Sequence, residues 1–303
     1  MKMAEWEGVV ENYNNEWSLR VPCGQCHMCR MAYSRSWANR CYLEASTYRP
    51  ETNWFVTLTY DDIHLPWGDG ELPTLKKDEI SKFMKALRQD MKKDEIQSEG
   101  IRFFGCGEYG GKTARPHYHI LLMNCKIPAS ELKVYKTEKG HVLWNIERLT
   151  KVWGKGHVVV AELNWETCAY TARYMLKKHK GLDSDYYEQK GIYQEYTRMS
   201  RMPGIGQDWL KENWEETWEM DRVLVKGRPM AAPAAFTRKL EELEPETAAR
   251  IKLRRELRAK TALKTQQTKK ESTLSEWEQL QVKEEYLKKR TATLQRRLEH
   301  GTI

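Results

Sequence analysis

Two histidines and a glutamate in the stretch from Ile101 to Met123 have the residue types of a metal site. His117 and His119 are two residues apart in an apolar run, and residues two apart on a β-strand point to the same face. Glu108 ends the preceding apolar run, so antiparallel pairing of the two runs would bring its carboxylate beside both imidazoles. Two imidazoles and one carboxylate form a facial site for a divalent cation, with positions open for water or substrate. The alternative interpretation is a strand with two half-buried histidines.

Cysteines near the start of the chain form a second candidate metal site. Cys23, Cys26 and Cys29 follow one another at steps of three, and Cys41 lies in the next segment. This spacing lets thiolates converge on one metal, and four sulfurs would form a structural Zn²⁺ site. The stretch from Cys23 to His27 also matches the c-type haem attachment pattern, which the lack of an export signal disfavours. An iron–sulfur cluster would need a fourth cysteine at short spacing. Reduced thiols packed under a helix are the remaining alternative.

Two tyrosines, Tyr170 and Tyr174, lie four residues apart in a segment with helical periodicity that begins at the N-cap residue Asn164. At this spacing two side chains share one face of a helix, with about 6 Å between their Cβ atoms. Lys177 and Lys178 follow one turn later. Such a pair is usually a packed aromatic stripe. Its position downstream of a candidate metal site in a basic protein favours a role in nucleic-acid chemistry.

The elements that would position these residues follow from hydrophobic periodicity. Alternating β-branched and aromatic residues predict strands at Trp54–Tyr60 and His157–Leu163, besides the two runs on either side of Gly110. Helical spacing predicts three helices, at Met31–Tyr48, Leu75–Lys93 and Val142–Gly156. The pattern is typical of an α+β fold, a central antiparallel sheet of about four to five strands flanked by helices.

Four regions are predicted along the chain: a cysteine-rich segment with a helix at residues 1–50, a core domain at 51–182, an accessory region at 183–235 and a charged helical tail at 236–303. The accessory region is rich in aromatic and basic residues, which suits either stacking on unpaired bases or ordinary packed loops. The tail has too few apolar positions for a long coiled coil. It is expected to be a C-terminal helical extension, solvated or used as a docking arm.

The charge balance indicates a polyanionic partner. With 51 basic and 43 acidic residues the formal charge is +8 and the pI is about 9.0, which favours nucleic acid over a membrane. No apolar run is long enough to span a bilayer, and the first ten residues lack the pattern of a secretory signal. We therefore expect a cytoplasmic protein with no membrane partner and no framework of disulfides.

Three segments, in this order, resemble motifs 1, 2 and 3 of the HUH endonucleases that initiate rolling-circle replication. They are FVTLTY (Phe55–Tyr60), RPHYHILL (Arg115–Leu122) and YTARYMLKK (Tyr170–Lys178). The chain is most similar to the replication initiator proteins of microviruses, especially the gokushovirus-like group of small circular single-stranded DNA phages. The resemblance covers most of residues 20–210. One departure is Tyr118, where the family usually has an aliphatic residue, and this side chain is expected to face away from the metal.

The resemblance implies an HUH-endonuclease topology, which is RRM-like, and a metal-dependent endonuclease and strand-transferase activity. A tyrosine would attack a phosphodiester at the origin of a circular genome, leaving a 5′-phosphotyrosine and a free 3′-hydroxyl, and the strand would later be rejoined. The resemblance assigns the ligands of a catalytic Mg²⁺ or Mn²⁺ to His117, His119 and Glu108, and the catalytic roles to Tyr170, Tyr174 and Lys177. The implied partners are single-stranded DNA at the replication origin and the replication machinery of a bacterial host, in whose cytoplasm the protein would act.

Two other functions stay open at this point. A non-catalytic, zinc-stabilised protein that binds or packages single-stranded DNA needs only stacking aromatics and basic residues. An HUH relaxase or transposase would share the metal and tyrosine chemistry, although relaxases usually carry the tyrosine near the N-terminus. Within the leading hypothesis, Tyr174 is expected to be the stronger nucleophile, because Lys177 follows it by three residues on the neighbouring turn.

Overall fold

The structure, a computed structural model, describes residues 9–10, 19–20, 23–24, 26–70, 72–97, 100–111, 113–138, 140–177, 185–268 and 274–299. Within these ranges the side chains of residues 9–10, 19–20, 174–177, 263–268, 276 and 293–299 are not described. The chain divides into two compact units, one formed by residues 34–233 and the other by residues 1–33 together with 234–303.

The strands are β1 Val9–Val10, β2 Leu19–Arg20, β3 Trp54–Tyr60, β4 Arg102–Tyr109, β5 Pro116–Met123, β6 Lys133–Glu138, β7 His141–Asn145, β8 Gly156–Glu162, β9 Tyr196–Met199, β10 Arg222–Val225 and β11 Arg228–Ala231. The helices are α1 His27–Ser46, α2 Glu79–Lys93, α3 Glu147–Trp153, α4 Trp165–Lys177, α5 Tyr186–Gln189, α6 Gln207–Glu212, α7 Trp214–Met220, α8 Ala234–Leu243, α9 Pro245–Thr268 and α10 Glu276–Glu299. The predicted strand at Trp54–Tyr60 is confirmed residue for residue.

The larger unit contains an antiparallel sheet of seven strands in the order β6-β7-β8-β3-β5-β4-β9. The predicted α+β class, with an antiparallel sheet flanked by helices, is confirmed. The sheet has seven strands rather than four to five, because the hairpin β6–β7 extends one edge and β9 forms the other. The strands β3, β5 and β4, which carry the candidate metal ligands and their neighbours, therefore lie inside the sheet.

Side-chain alternation divides this sheet into two faces with separate cores. Leu58 of β3 and Tyr118 of β5 belong to the core beneath α2 and α3, which we call the α2/α3 face. Leu121 of β5 belongs to the opposite core, which includes Cys41 of α1 and Ala172 of α4, and we call this the α1/α4 face. Each core closes one face of the sheet, so the strands beneath are held flat against helices on both sides.

The predicted helix at Val142–Gly156 is wrong in its first part. Residues 141–145 form strand β7, and the helix begins only at Glu147. Val142, Leu143 and Trp144 are β-branched, aliphatic and aromatic, and they pair with β6 and β8, so tertiary pairing overrides the local helical periodicity. The glycine stop is confirmed, because Gly154 ends α3 with a left-handed φ of 62°.

The smaller unit contains the β1–β2 pair, the start of α1 and the helices α8 to α10. The predicted long charged helices after Phe236 are confirmed. Phe236 and Leu240 of α8 are fully buried and Ile251 of α9 nearly so, while Leu253 and Leu257 of α9 are more than half exposed. In the described part of the chain, no helix is both long and apolar enough to cross a bilayer.

A buried ion pair joins α1 to the sheet inside the larger unit. Glu44 of α1 is completely buried, and its Oε1 accepts a hydrogen bond of 2.7 Å from Nε of Arg102. The second carboxylate oxygen of Glu44 accepts a bond from the backbone N–H of Gly206, and Arg102 also donates to the carbonyl of Pro203. Because both charges are removed from water, each depends on the other for its solvation.

We predict that Glu44→Ala lowers the free energy of unfolding by about 3–5 kcal/mol, because it leaves the Arg102 guanidinium buried without its counter-charge. Urea unfolding of the full chain measures the loss. The matched control is Glu147→Ala, which removes an exposed partner of Lys151 and is expected to change stability by less than about 1 kcal/mol. Equal losses in the two variants would contradict this account of the buried pair.

Candidate metal centre and tyrosine site

The pairing of β4 with β5 brings the three candidate metal ligands together. Glu108 lies directly opposite His117 in the antiparallel register. Oε1 of Glu108 is 2.6 Å from Nε2 of His117 and 3.2 Å from Nε2 of His119. His119 is 5% exposed and Glu108 only 2% exposed, and all three side chains lie on the α1/α4 face. The predicted convergence of one carboxylate and two imidazoles is therefore what the register produces.

Each imidazole is oriented through its other ring nitrogen. Nδ1 of His117 is 3.2 Å from the carbonyl oxygen of Arg115, which can only accept, so Nδ1 is the protonated nitrogen. Nδ1 of His119 is 3.0 Å from the hydroxyl oxygen of Thr57 on β3. These contacts turn both Nε2 atoms toward Glu108. Such outer contacts fix the tautomer and the ring orientation of histidines that bind metals.

The three residues fit a divalent metal ion. One ligand atom from each of Glu108, His117 and His119 lies within 4.8 Å of the others. Three donors on one face of an octahedron, each about 2.1 Å from the metal, are roughly 3 Å apart. The two distances from Oε1 of Glu108, 2.6 and 3.2 Å, are close to this value. The donor set of two nitrogens and one hard oxygen leaves the opposite octahedral face for water or substrate.

The carboxylate at the centre of this group is ionised. Burial on its own would raise the pKa of Glu108, but hydrogen bonds from His117 and His119 and their positive charge outweigh burial and lower the pKa to about 2. A negative charge that is 2% exposed on the α1/α4 face is thus held by the two imidazoles. A divalent cation would supply the same compensation, and the Nε2 protons would be released as it bound.

Helix α4 places a tyrosine beside these ligands. The helix starts at a reciprocal cap, in which Oδ1 of Asn164 accepts from the N–H of Thr167 at 2.8 Å and the Thr167 hydroxyl contacts the N–H of Asn164. The hydroxyl oxygen of Tyr170 is 3.4 Å from Nε2 of His119. Phe55 of β3 stacks on the His119 ring at 5.3 Å and meets Tyr170 edge to face, so apolar contacts define one wall of the site.

The other catalytic candidates are described only in part. Tyr174 and Lys177 belong to the last turns of α4, but their side chains lie outside the described part of the structure. Lys178 lies outside the described residues altogether. Along the helix axis, Tyr174 is about 6 Å beyond Tyr170.

Tyr118, between the two histidines, faces away from them as predicted. Its ring is fully buried on the α2/α3 face, and its hydroxyl is 3.0 Å from that of Tyr60 and accepts from the N–H of Lys76. A Cβ atom at Gly107, on the neighbouring strand, would lie 3.0 Å from the Tyr118 ring and 2.9 Å from Leu75. The bulky residue at this position is therefore accommodated by a glycine on β4.

The four N-terminal cysteines are only partly brought together. Ligand atoms of Cys23, Cys26 and Cys29 lie within 4.8 Å of one another. Cys41 is not part of this group. It lies twelve residues beyond Cys29 on the same helix, which corresponds to about 18 Å, and it is fully buried in the core of the α1/α4 face.

Two residues with clear roles in the site, Thr57 and Phe55, were not predicted from the sequence as site residues. Both belong to the segment FVTLTY, which carries the resemblance to motif 1, and alternation along β3 puts them on the face of the histidines. The signal that would have found them is the cross-strand register, in which Thr57 lies directly opposite His119. Register between strands distant in sequence is not visible in local patterns.

Comparison with known proteins decides the family. The family model for the replication-associated protein ORF2 matches residues 53–179. Replication-associated protein ORF2 of Spiroplasma virus 4 is 36% identical to this chain over 226 residues, which cover 73% of the chain and 68% of the relative. The chain belongs to the replication-associated protein family. The resemblance to microvirus replication initiators is therefore confirmed.

Two further members of the replication-associated protein family are similar over shorter shares of their length. Replication-associated protein VP4 of Bdellovibrio phage phiMH2K is 31% identical over 69% of this chain and 63% of the relative. Replication-associated protein ORF4 of Chlamydia phage 1 is 29% identical over 76% of this chain and 56% of the relative. No solved structure matches the chain. The segment matched by the family model extends from β3 to α4, so it contains the candidate metal ligands and both tyrosines.

We predict that Thr57→Val weakens Mn²⁺ binding by about 10- to 100-fold, because valine keeps the shape of threonine but removes the hydroxyl that orients His119. Calorimetric titration of the metal-free full chain measures the affinity. The matched control is Thr59→Val on the same face of β3, opposite His117 in the register, for which wild-type affinity is expected. An unchanged affinity in Thr57→Val would remove this residue from the support of the site.

Proposed function

We propose that this replication-associated protein is an HUH-type endonuclease that starts rolling-circle replication by nicking the origin of a circular DNA genome. The observation that supports this function best is the position of the Tyr170 hydroxyl, 3.4 Å from a nitrogen of the group formed by Glu108, His117 and His119. A nucleophile on a helix lies against three donors suited to a divalent cation. A protein that only bound or packaged DNA would need neither feature.

The proposed reaction exchanges one phosphoester bond for another. The phenol oxygen of a tyrosine attacks the phosphorus of a phosphodiester, and the bond from phosphorus to the 3′-oxygen breaks. The phenol proton leaves and a proton is gained by the departing 3′-oxygen, so the products are a 5′-phosphotyrosine and a free 3′-hydroxyl. Because the number of ester bonds is unchanged, the reverse reaction can rejoin the strand without an external energy source. A polymerase of the host can extend the 3′-hydroxyl.

Residues of the site have separate roles in this proposal. Glu108, His117 and His119 hold Mg²⁺ or Mn²⁺, and Thr57 together with the Arg115 carbonyl keeps the imidazoles in position. When bound, the cation would neutralise charge on the phosphodiester and orient it for in-line attack. The pKa of Glu108, at about 2, keeps its carboxylate ionised throughout the range in which cells work. The ring of Phe55 restricts water on the side of His119 and Tyr170.

The described geometry favours Tyr170 over Tyr174 for the first cut, which differs from the order expected from the position of Lys177. Tyr170 already has its hydroxyl beside His119, whereas Tyr174 begins one helical turn further on. In the proposal, Tyr170 holds the first DNA end and Tyr174 cuts the newly copied origin. Lys177, one turn after Tyr174, favours the phenolate form of that tyrosine, whose ordinary pKa is near 10.

The substrate we propose is single-stranded DNA at the replication origin, in the cytoplasm of a bacterial host. The formal charge of +8 supports a polyanionic partner. The proposal extends the replication role of the family to a specific chemical step, and the host replication machinery is the partner that would use its product.

We predict that the full chain forms a covalent adduct with a single-stranded origin oligonucleotide in Mn²⁺ or Mg²⁺, and that a chelator abolishes the adduct. His119→Ala is expected to lose more than 100-fold in adduct formation while DNA binding, measured by fluorescence anisotropy, stays within about threefold, because the basic surface is untouched. The control is His141→Ala, an exposed histidine of β7. Binding of DNA without any adduct in the wild-type protein would favour the non-catalytic alternative.

We also predict that Tyr170→Phe loses most of the adduct in a single-cut assay and that Tyr174→Phe loses less. Phenylalanine keeps the ring and removes only the hydroxyl, so a loss can be assigned to chemistry. Tyr42→Phe, a tyrosine of α1 that packs against the core of the α1/α4 face, is the matched control and should cut like wild type. Peptide mass analysis locates the phosphotyrosine. An adduct in the variant lacking both hydroxyls, mapped to another residue, would show that α4 is the wrong helix.

A further inference from the structure

Three cysteine thiols come together at the start of α1, apart from the site that carries the proposed chemistry. Sγ of Cys23 is 3.9 Å from Sγ of Cys29, and the ligand atoms of Cys23, Cys26 and Cys29 all lie within 4.8 Å of one another. The backbone N–H of Cys26 donates to Sγ of Cys23 at 3.2 Å. The segment thus folds its three sulfurs around one point.

The three thiols differ from the other cysteines of the chain. Each is half-buried, whereas the remaining four are fully or almost fully buried in apolar surroundings, at Cys41, Cys106, Cys125 and Cys168. Packing of reduced thiols accounts for the buried set, since free cysteine behaves as a small apolar side chain. It does not account for three sulfurs that meet where water has access. A disulfide does not account for them either, because a sulfur–sulfur bond is about 2.05 Å long and three thiols cannot all pair.

The spacing of the sulfurs suits a tetrahedral metal. Zinc–sulfur bonds are about 2.3 Å long, so two thiolates on one tetrahedral zinc ion are roughly 3.8 Å apart. The Cys23–Cys29 distance of 3.9 Å agrees with this value. The carbonyl of Cys26 accepts the first backbone hydrogen bond of α1, from Arg30, so the site is built on the N-terminus of a 20-residue helix. Free N–H groups at a helix start stabilise thiolates.

The described residues leave the fourth coordination position outside this group. His27 follows Cys26 directly, but its Nε2 is 2.9 Å from the Thr291 hydroxyl of α10, within the same unit. Its backbone N–H contacts Glu284 of α10 at 3.4 Å. Both contacts turn His27 toward α10. Cys41, the fourth ligand expected from the sequence, is about 18 Å further along α1.

We propose that Cys23, Cys26 and Cys29 bind one Zn²⁺ ion as three thiolates, and that this ion fixes the first turn of α1. Binding releases three thiol protons to solvent, and a ligand from outside the three cysteines, such as water, completes the tetrahedron. The site is structural and does not share a residue with the proposed catalytic metal site. Its three thiolates select zinc, whereas two imidazoles and a carboxylate accept harder cations.

The test is the zinc content of the purified full chain, measured by mass spectrometry of the elements, in wild type and four variants. One zinc ion per chain is expected in wild type and in His119→Ala, Cys41→Ala and His27→Ala. At least a tenfold loss is expected in Cys26→Ala, with the far-ultraviolet circular dichroism of the other variants. Because a variant can fail to fold, wild-type protein stripped by a chelator is also titrated with Co²⁺. Absorption from thiolate-to-cobalt charge transfer is expected there, and it cannot arise at a site of imidazoles and a carboxylate.

Several results would overturn the proposal. Iron with inorganic sulfide would assign the thiols to an iron–sulfur cluster. A disulfide among the three cysteines in protein purified under reducing conditions would remove the ligands. Zinc lost in Cys41→Ala or His27→Ala would replace the three-thiolate site with a different ligand set. A wild-type chain without zinc, and without charge-transfer absorption after Co²⁺ is added, would show that the cysteines bind no metal.

Discussion

The antiparallel register of β3, β5 and β4 is the constraint on which the candidate site depends. It sets Thr57 opposite His119 and Glu108 opposite His117, across three adjacent strands. Because side chains alternate along a strand, a slip of one residue in either pair would move a ligand to the opposite face. The register is itself held by the apolar residues between the polar ones, since Ile120 is fully buried on the α2/α3 face. Packing of one face thus determines the chemistry on the other.

Burial makes the group of three ligands energetically demanding. A carboxylate that is 2% exposed would be costly alone, and the two imidazoles make it favourable by lowering the pKa of Glu108 to about 2. Helix α4 contributes to this burial, because Tyr170 lies against both His119 and Phe55. The same helix that excludes water from the ligands therefore delivers the proposed nucleophile. Exclusion of water also strengthens the electrostatic interactions on which phosphodiester cleavage depends.

Local patterns in the sequence were sufficient for the elements that carry the site. Period-two alternation found β3 to the residue, and the His-x-His spacing placed two ligands on one face. What local patterns could not supply was contact between distant segments. Residues 142–145 have helical periodicity but pair as β7 with β6 and β8, and Cys41 continues the cysteine series but is carried into the core by α1. In both cases tertiary partners decided the outcome, and no short motif encodes them.

The two tyrosines of the proposed reaction differ in how the fold positions them. The metal ligands are fixed by strand pairing, whereas Tyr170 and Tyr174 occupy successive turns of α4, about 6 Å apart along its axis. A single phosphodiester bound at the ligands therefore meets one hydroxyl in its present position and the other only after a movement of comparable size. Either a tyrosine side chain rotates or the DNA shifts along the helix. Since the sheet keeps the ligands in place, the exchange of nucleophiles requires movement at α4 or in the substrate and not at the metal.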